Sequence, residues 1–261
     1  LKTVSSRDNP LYKRLLGLAT SSHQRRKAGK ALLDGMHLIE AYCANCGAPD
    51  TLVVNNSLRE RPEIAAFLAS HPRIEPVLFT AGLFQDIAQV AHGSGILAIC
   101  DVPPAVLPVK PPDCCVLLEG IQDPGNLGSI LRSAAAAGIK DAFLDNGCAF
   151  AWSPKTVRAG MGAHFALAIH EHVELAAIAR WFQGEVIATL PSARQSLYET
   201  DVSGRVAWLL GAEGGGLSGA AEALATQAVS IPMLKPAESL NVAAAAAICF
   251  FERVRQRQGR Y

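Results

Sequence analysis

The sequence predicts an α/β protein of two domains, the second built on a mostly parallel sheet covered on both faces. Three observations lead there. In both halves, short apolar runs of strand length alternate with amphipathic or alanine-rich segments of helix length, as in βαβ units. Residues 101–112 hold five prolines in twelve positions, which neither a helix nor a central strand tolerates, so they read as an extended, semi-rigid linker. Half of the 261 residues are hydrophobic and only 18% are charged, which supplies real cores and excludes global disorder. The predicted boundaries are 1–100 for a first domain, 101–112 for the linker and 113–261 for a second domain.

In the first half, Asn9-Pro10 opens a helix whose Leu11, Leu15, Leu16 and Leu18 face inward, with Lys13 and Arg14 on its wet side. Residues 23–30 read as a basic connector and 31–35 as a strand end and turn. A helix over 37–46 stops at Gly47. Residues 51–54 form a strand, 61–70 a helix, 74–79 a strand, 82–91 a helix and 96–100 a strand. In the second half, strands are predicted at 114–118, 141–144, 165–169, 185–190, 205–210 and 228–231. Helices fall at 127–137, closed by Gly138, and at 174–182, 217–226 and 241–257. Ser153-Pro154 starts another as N-cap and first helical proline. Pro232 and Pro236 stiffen the loop before the last helix, Ser239 stands where an N-cap belongs, and the alanine run 243–247 has the highest helix propensity available.

Composition narrows the function class. No apolar run reaches the roughly 18 residues of a membrane span, and the polar start of the chain has no signal-peptide core, so a cytoplasmic protein is expected. Cys43-x-x-Cys46 lacks a second ligand pair at zinc spacing, and the seven cysteines read as reduced and structural, with no metal expected. The net charge of +1 conceals clustering. Lys2, Arg7, Lys13, Arg14, Arg25, Arg26, Lys27 and Lys30 face the single acid Asp8 within residues 1–30, and Arg253, Arg255, Arg257 and Arg260 end the chain. That suits either a polyanion partner such as nucleic acid or solvated helix faces.

Ligands of parallel sheets bind beyond the carboxyl ends of the strands, and three loops with unusual chemistry leave those ends. The first, 119–132, passes through Asp123-Pro124-Gly125-Asn126 turn chemistry into a helix carrying Arg132 among apolar neighbours. An arginine there either pairs with an acid or receives an anion. The second, 209–218, has three successive glycines after Glu213 but no Gly-Lys-Ser/Thr ending, which argues against a phosphate loop. Its glycines, Gly211 included, let backbone approach a ligand closely or make a plain tight turn. Glu213 suits a sugar hydroxyl, a cation or an arginine. The third, 231–242, offers apolar Ile231 and Met233, backbone groups for a flat heterocycle, and the polar tips Ser239 and Asn241.

The blocks Asp123-Pro124-Gly125-Asn126-Leu127-Gly128-x-x-x-Arg132, Gly211-x-Glu213-Gly214-x-Gly216-Leu217-Ser218 and Ile231-Pro232-Met233-x5-Ser239-Leu240-Asn241-Val242 resemble, in order and spacing, the three motifs of the SpoU/TrmH RNA ribose 2′-O-methyltransferases of the SPOUT superfamily. Upstream, Ser5-Ser6-Arg7-Asp8-Asn9-Pro10 and Leu33-Asp34-Gly35-x-x-Leu38-Ile39 resemble the start of that family's small RNA-binding domain, a fold shared with some ribosomal proteins. The resemblance implies a catalytic domain with a deep trefoil knot, S-adenosylmethionine as cofactor, RNA as substrate and a homodimer through the second domain. By position it implies cofactor contacts at Gly211, Ile231, Leu240 and Met233. It implies catalytic or architectural roles for Arg132, Asn126, Glu213, Ser239 and Asn241, with Arg158 a further candidate. Lys235-Pro236 departs from the family's usual glycine, and Lys235 there suits a phosphate contact.

On this reading a ribose 2′-oxygen attacks the cofactor's methyl directly, with Arg132 holding the substrate phosphate, Asn126 and Glu213 ordering Arg132, and no covalent intermediate. The separate first domain favours large-subunit ribosomal RNA over transfer RNA. The alternative from another class is an RNA-binding or ribosome-assembly protein that kept the fold without the chemistry.

Overall fold

A computed structural model describes residues 2–88, 93–234 and 239–259. By contacts the chain divides into two compact units, residues 1–103 with 152–165, and residues 104–151 with 166–261. Residues 152–165 thus group with the first unit, where the sequence pattern runs the second domain unbroken from 113.

In chain order the elements up to the linker are β1 (Thr3–Val4), α1 (Pro10–Thr20), α2 (Ser22–Ala28), β2 (Lys30–Asp34), α3 (Met36–Cys46), β3 (Thr51–Asn55), α4 (Pro62–Ser70), β4 (Pro76–Phe79), α5 (Ala81–Ile87) and β5 (Ile96–Asp101). Beyond it come β6 (Cys114–Leu118), α6 (Pro124–Ala136), β7 (Asp141–Leu144), α7 (Pro154–Gly160), β8 (Ala168–His170), α8 (Leu175–Trp181), β9 (Glu185–Thr189), β10 (Gln195–Ser196), β11 (Val206–Leu210), α9 (Gly219–Glu222), β12 (Gln227–Ser230) and α10 (Val242–Gln258).

The first unit carries a five-stranded sheet ordered β1-β4-β3-β5-β2, with β5 antiparallel to both its neighbours. Leu15, Leu32, Val53, Phe79 and Ile87 meet in its core. α7 packs with β2, and Phe165 sets its ring edge-on to Tyr42 at 5.2 Å. The predicted connector 23–30 is mostly helix instead. Ser21 accepts a bond from Gln24 N at one end and Gly29 takes a left-handed conformation at the other, so caps decide what the charge run conceals.

Much of the basic clustering is satisfied within this unit. Arg7 pairs with Asp86 at 2.9 Å, Arg14 with Asp50 at 2.8 Å, and Lys30 with Asp101 at 2.7 Å. Buried Arg25 donates to the carbonyl of Leu18. Near the other end, Arg255 chelates Glu252, and Arg253 is buried on the carbonyls of Asp113 and Gly204. Arg260 lies outside the described residues. Ion pairing and solvation therefore account for most of the cluster, although exposed pairs are weak enough to exchange for phosphate.

The second unit carries seven strands, all parallel, ordered β10-β12-β9-β11-β6-β7-β8. Successive side chains alternate between faces. Cys115, Leu117, Phe143, Val186, Ala207 and Leu209 form the core on one side. On the other, α10 packs against α6, and Trp208 meets Phe250 at 6.4 Å. Leu210 lies in register with Leu118, so the loops after β11 and β6 leave the sheet side by side.

Three local expectations are corrected. The predicted strand 165–169 begins at Ala168, because Ala163–Phe165 makes a 3-10 turn first. The helix predicted over 217–226 is confined to Gly219–Glu222, since Thr226 bonds to Val186 and draws the chain into β12. The N-cap of the last helix is Asn241 rather than Ser239: its side-chain oxygen accepts from the amides of Ala243 at 2.9 Å and Ala244 at 3.2 Å. Among the described residues no helix is long and apolar enough to cross a membrane.

Candidate functional site

A cavity of about 410 Å³ opens beyond the carboxyl ends of β9, β11 and β12 in the second unit, within the size range of small-ligand sites. Its walls come from four segments: Thr189 to Pro191, Leu210 to Gly214 with Gly216, Ile231 with Met233, and Ser239 to Val242 with Ala245. Gly211, Ile231, Met233 and Leu240, the predicted cofactor contacts, all line it, as do Glu213, Ser239 and Asn241.

The loop after β11 owes its shape to Gly211. A Cβ at that position would stand 2.3 Å from the carbonyl carbon of Gly216 and 2.4 Å from Leu217 N. With that space open, the chain folds back on itself, and Ala212 and Gly216 exchange backbone bonds of 3.0 and 2.9 Å.

A hydrogen-bond chain joins the three motif loops. Asn241 Oδ1 is committed to the two helix amides it caps, so its Nδ2 donates to Asn126 Oδ1 at 2.9 Å. That fixes the Asn126 amide the other way round, with Nδ2 donating to Glu213 Oε1. Asp123 in turn caps α6 by accepting from Asn126 N at 2.8 Å. Asn126 thereby reaches the cavity through Glu213 and Asn241 without lining it.

Arg132 stands apart from this chain. It is exposed, and among the described residues it makes no hydrogen bond or ion pair. The expected ordering of Arg132 by Asn126 and Glu213 is not seen, and helix geometry explains why. Six residues along α6 is about 1.7 turns, which puts the two side chains on different faces. Of the two readings of this arginine, the acid partner is missing among the described residues and the open guanidinium remains. Arg158 sits in α7 and groups with the first unit. Lys235 and Pro236 lie outside the described residues.

The flanking groups support rather than react. Asp145 accepts from the amides of Gly120 at 3.0 Å and Gly147 at 2.9 Å. Cys148 Sγ donates to the carbonyl of Leu118, and burial pushes its thiol up to about 12. Cys249 lies 3.6 Å from Thr189 Oγ1 and is likewise pushed to about 12. Neither supplies a thiolate nucleophile near neutral pH. Sequence reasoning missed Thr189, Leu190 and Pro191, although a Leu-Pro step at the carboxyl end of a parallel strand marks such a wall. It also left Glu119 unassigned; that side chain accepts two bonds from Ser218.

The cavity can hold a flat, partly apolar molecule with a polar tail. Backbone edges and Ile231, Met233 and Leu240 suit a heterocycle, while Glu213, Ser239 and Asn241 suit hydroxyl or cationic groups.

Comparison with known proteins agrees with this chemistry. Residues 113–251 match the SpoU rRNA methylase family model. The chain is 31% identical over 262 residues to an uncharacterised tRNA/rRNA methyltransferase of Synechocystis, covering 98% of this chain and 95% of that one. It is 28% identical over 254 residues to the 23S rRNA guanosine 2′-O-methyltransferase RlmP of Bacillus subtilis, covering 96% and 98%. Among solved structures, the SpoU methyltransferase AviRb of Streptomyces viridochromogenes in complex with AdoMet superposes with a TM-score of 0.85 at 27% identity, covering 96% of this chain and all of that one.

Proposed function

This chain belongs to the SpoU rRNA methylase family, and we propose that it transfers a methyl group from S-adenosylmethionine to a ribose 2′-hydroxyl of large-subunit ribosomal RNA. One observation carries the reading: two of the motif loops line one cavity, and the Asn241–Asn126–Glu213 chain ties the third to them. The described residues fit the cofactor. The Gly211 fold-back gives backbone access, apolar side chains offer contact for adenine, and Glu213 supplies the carboxylate that a cationic or hydroxyl-bearing ligand needs. When bound, S-adenosylmethionine supplies an electrophilic methyl group.

We assign the remaining work to positioning, which contributes several kcal/mol when reacting atoms are held at about 3–3.5 Å. Arg132, with its guanidinium free of described partners, takes a phosphate of the RNA and orients the neighbouring 2′-hydroxyl. It stays protonated and so acts as an anchor rather than as a base. Asn126, Glu213 and Asn241 hold the loops that form the cavity, and Ser239 offers a hydroxyl at its mouth.

The first unit, with its ribosomal-protein-like start, is the RNA-gripping part in this proposal. Family membership also supports the trefoil knot, a cytoplasmic location and a homodimer. The exposed Phe251 with Ala244 on α10 offers a face for a second protomer.

Radiolabelled methyl transfer onto ribosomal RNA from cells lacking the gene tests the proposal. Labelling of large-subunit RNA at a ribose, abolished by Arg132→Ala in folded protein, is expected. Labelling of transfer RNA alone overturns the substrate, and absence of S-adenosylmethionine binding overturns the enzyme in favour of an RNA-binding factor.

A further inference from the structure

We propose that Glu119 is a positioning residue that clamps the cofactor loop 211–218 shut from the neighbouring strand. The proposal rests on the reading of the cavity as an S-adenosylmethionine site.

Glu119 follows β6 directly and reaches both ends of that loop. Its backbone N–H donates to the carbonyl of Leu210, where the loop begins, at 3.0 Å. Its carboxylate accepts from Ser218 N and from Ser218 Oγ, where the loop ends, both at 2.7 Å. A carboxylate matches this pair of donors. Ser218 Oγ already accepts from Ala221 N at 3.1 Å as the cap of α9, so its own proton is directed to Glu119. The backbone beneath the clamp is itself fixed, because the next amide, Gly120 N, donates to Asp145 at 3.0 Å.

Between the two anchors lie Gly211, Glu213 and Gly216, which line the cavity. Glu119 does not line it and acts only through Ser218. Nothing in the three-motif pattern calls for a carboxylate at 119, yet it converts the register of β6 and β11 into a fixed loop mouth. Charge-assisted bonds of this length are strong, but Ser218 is exposed and water competes for both partners, so the expected effect on cofactor affinity is about tenfold.

The test measures S-adenosylmethionine and S-adenosylhomocysteine binding by calorimetry, steady-state kcat and KM, and amide hydrogen exchange of residues 211–218. The proteins compared are wild type, Glu119→Ala, Glu119→Gln, Ser218→Ala and the Glu119→Ala/Ser218→Ala double variant. Glu119→Ala is expected to raise Kd for both compounds and KM for the cofactor about tenfold, with kcat within about threefold. Exchange across 211–218 should quicken by a similar factor. Glu119→Gln should recover most of the loss, since its amide oxygen still accepts from Ser218 N. Ser218→Ala should fall between, and adding it to Glu119→Ala should cost less than about twofold more, the signature of one shared interaction.

Wild-type affinity in Glu119→Ala, additive losses in the double variant, or failure of Glu119→Gln to recover each overturns the clamp. Should Glu119→Ala fail to fold, wild-type affinity in Ser218→Ala overturns it. If the wild-type protein binds neither compound, the functional reading fails instead. The clamp then stands or falls on whether Glu119→Ala, or Ser218→Ala in its place, quickens exchange in 211–218 while Glu119→Gln does not.

Discussion

Replacing the glycines of the 211–216 loop one at a time separates the cavity's shape from its flexibility. At Gly211 an added Cβ would meet backbone at 2.3–2.4 Å, where ordinary contact begins at 3.4 Å. The atoms in the way are the peptide of Gly216 and Leu217, so no side chain can swing aside and the fold-back must open by about 1 Å. That breaks the paired bonds between Ala212 and Gly216, worth about 1 kcal/mol each, and adds overpacking of about 1–3 kcal/mol. A cofactor that must restore the loop to bind would lose about 3 kcal/mol, roughly a hundredfold in Kd. Gly214 has open space but a φ of +80°, so alanine there costs about 1 kcal/mol, a few-fold in Kd. Gly215 has open space and no positive φ, so Gly215→Ala should stay within about 0.5 kcal/mol of wild type. Calorimetric titration with S-adenosylmethionine, beside thermal melting of each variant, reads the series. Equal affinities for Gly211→Ala and Gly215→Ala would refute the claim that Gly211 shapes the site.

Three further outcomes are expected. Ala245 lines the cavity whereas Ala246 is fully buried, so Ala245→Leu should lose cofactor binding with melting little changed. Ala246→Leu should lower the melting temperature through overpacking, and the reverse pattern would contradict these placements. Asp86 accepts bonds from the Tyr12 hydroxyl and from Arg7, which hold its carboxyl below the usual carboxylate range. Its contribution to stability is therefore present above the unfolded pKa and lost as pH falls through the lower folded value, and Asp86→Asn should flatten the acid limb of a melting-versus-pH profile below about pH 4. In native protein, a thiol reagent followed by mass spectrometry should modify exposed Cys46 and half-buried Cys43 first. Buried Cys100 and Cys249, which burial pushes to about 12, should react only on unfolding.

The strands of the second unit were legible because runs such as Cys114–Leu118 are uniformly apolar and end at glycine or acid. The cavity was legible for the same reason: parallel strands announce their loops, and Glu213, Ser239 and Asn241 stood out as polar tips within them. What failed to show was long-range. Asn126 finds Glu213 and Asn241 across 87 and 115 residues, and no local pattern encodes such a pairing. The basic cluster displayed its sign, but Asp50, Asp86 and Asp101, which neutralise much of it, lie far along the chain. β1 and β10 are two residues each, too short to leave a period. The pattern also put Arg132 in the right helix while misjudging its neighbours, because spacing fixes a residue's face but not what waits there.

The register of β6 with β11 also sets a timetable for synthesis. β7 can cover one edge of β6 soon after it emerges, but the other edge stays open until Val206–Leu210 is made, about 90 residues later. At ribosomal speeds that is roughly 5–20 s during which Cys-Cys-Val-Leu-Leu has one edge unpaired. The last wall, at Val242 and Ala245, comes later still, and Arg253 must then reach back to the carbonyl of Asp113. No cofactor can therefore act as a template for the nascent chain. This unit passes through its open-edged interval without that help, and its ligand meets a finished cavity only once the last helix is free.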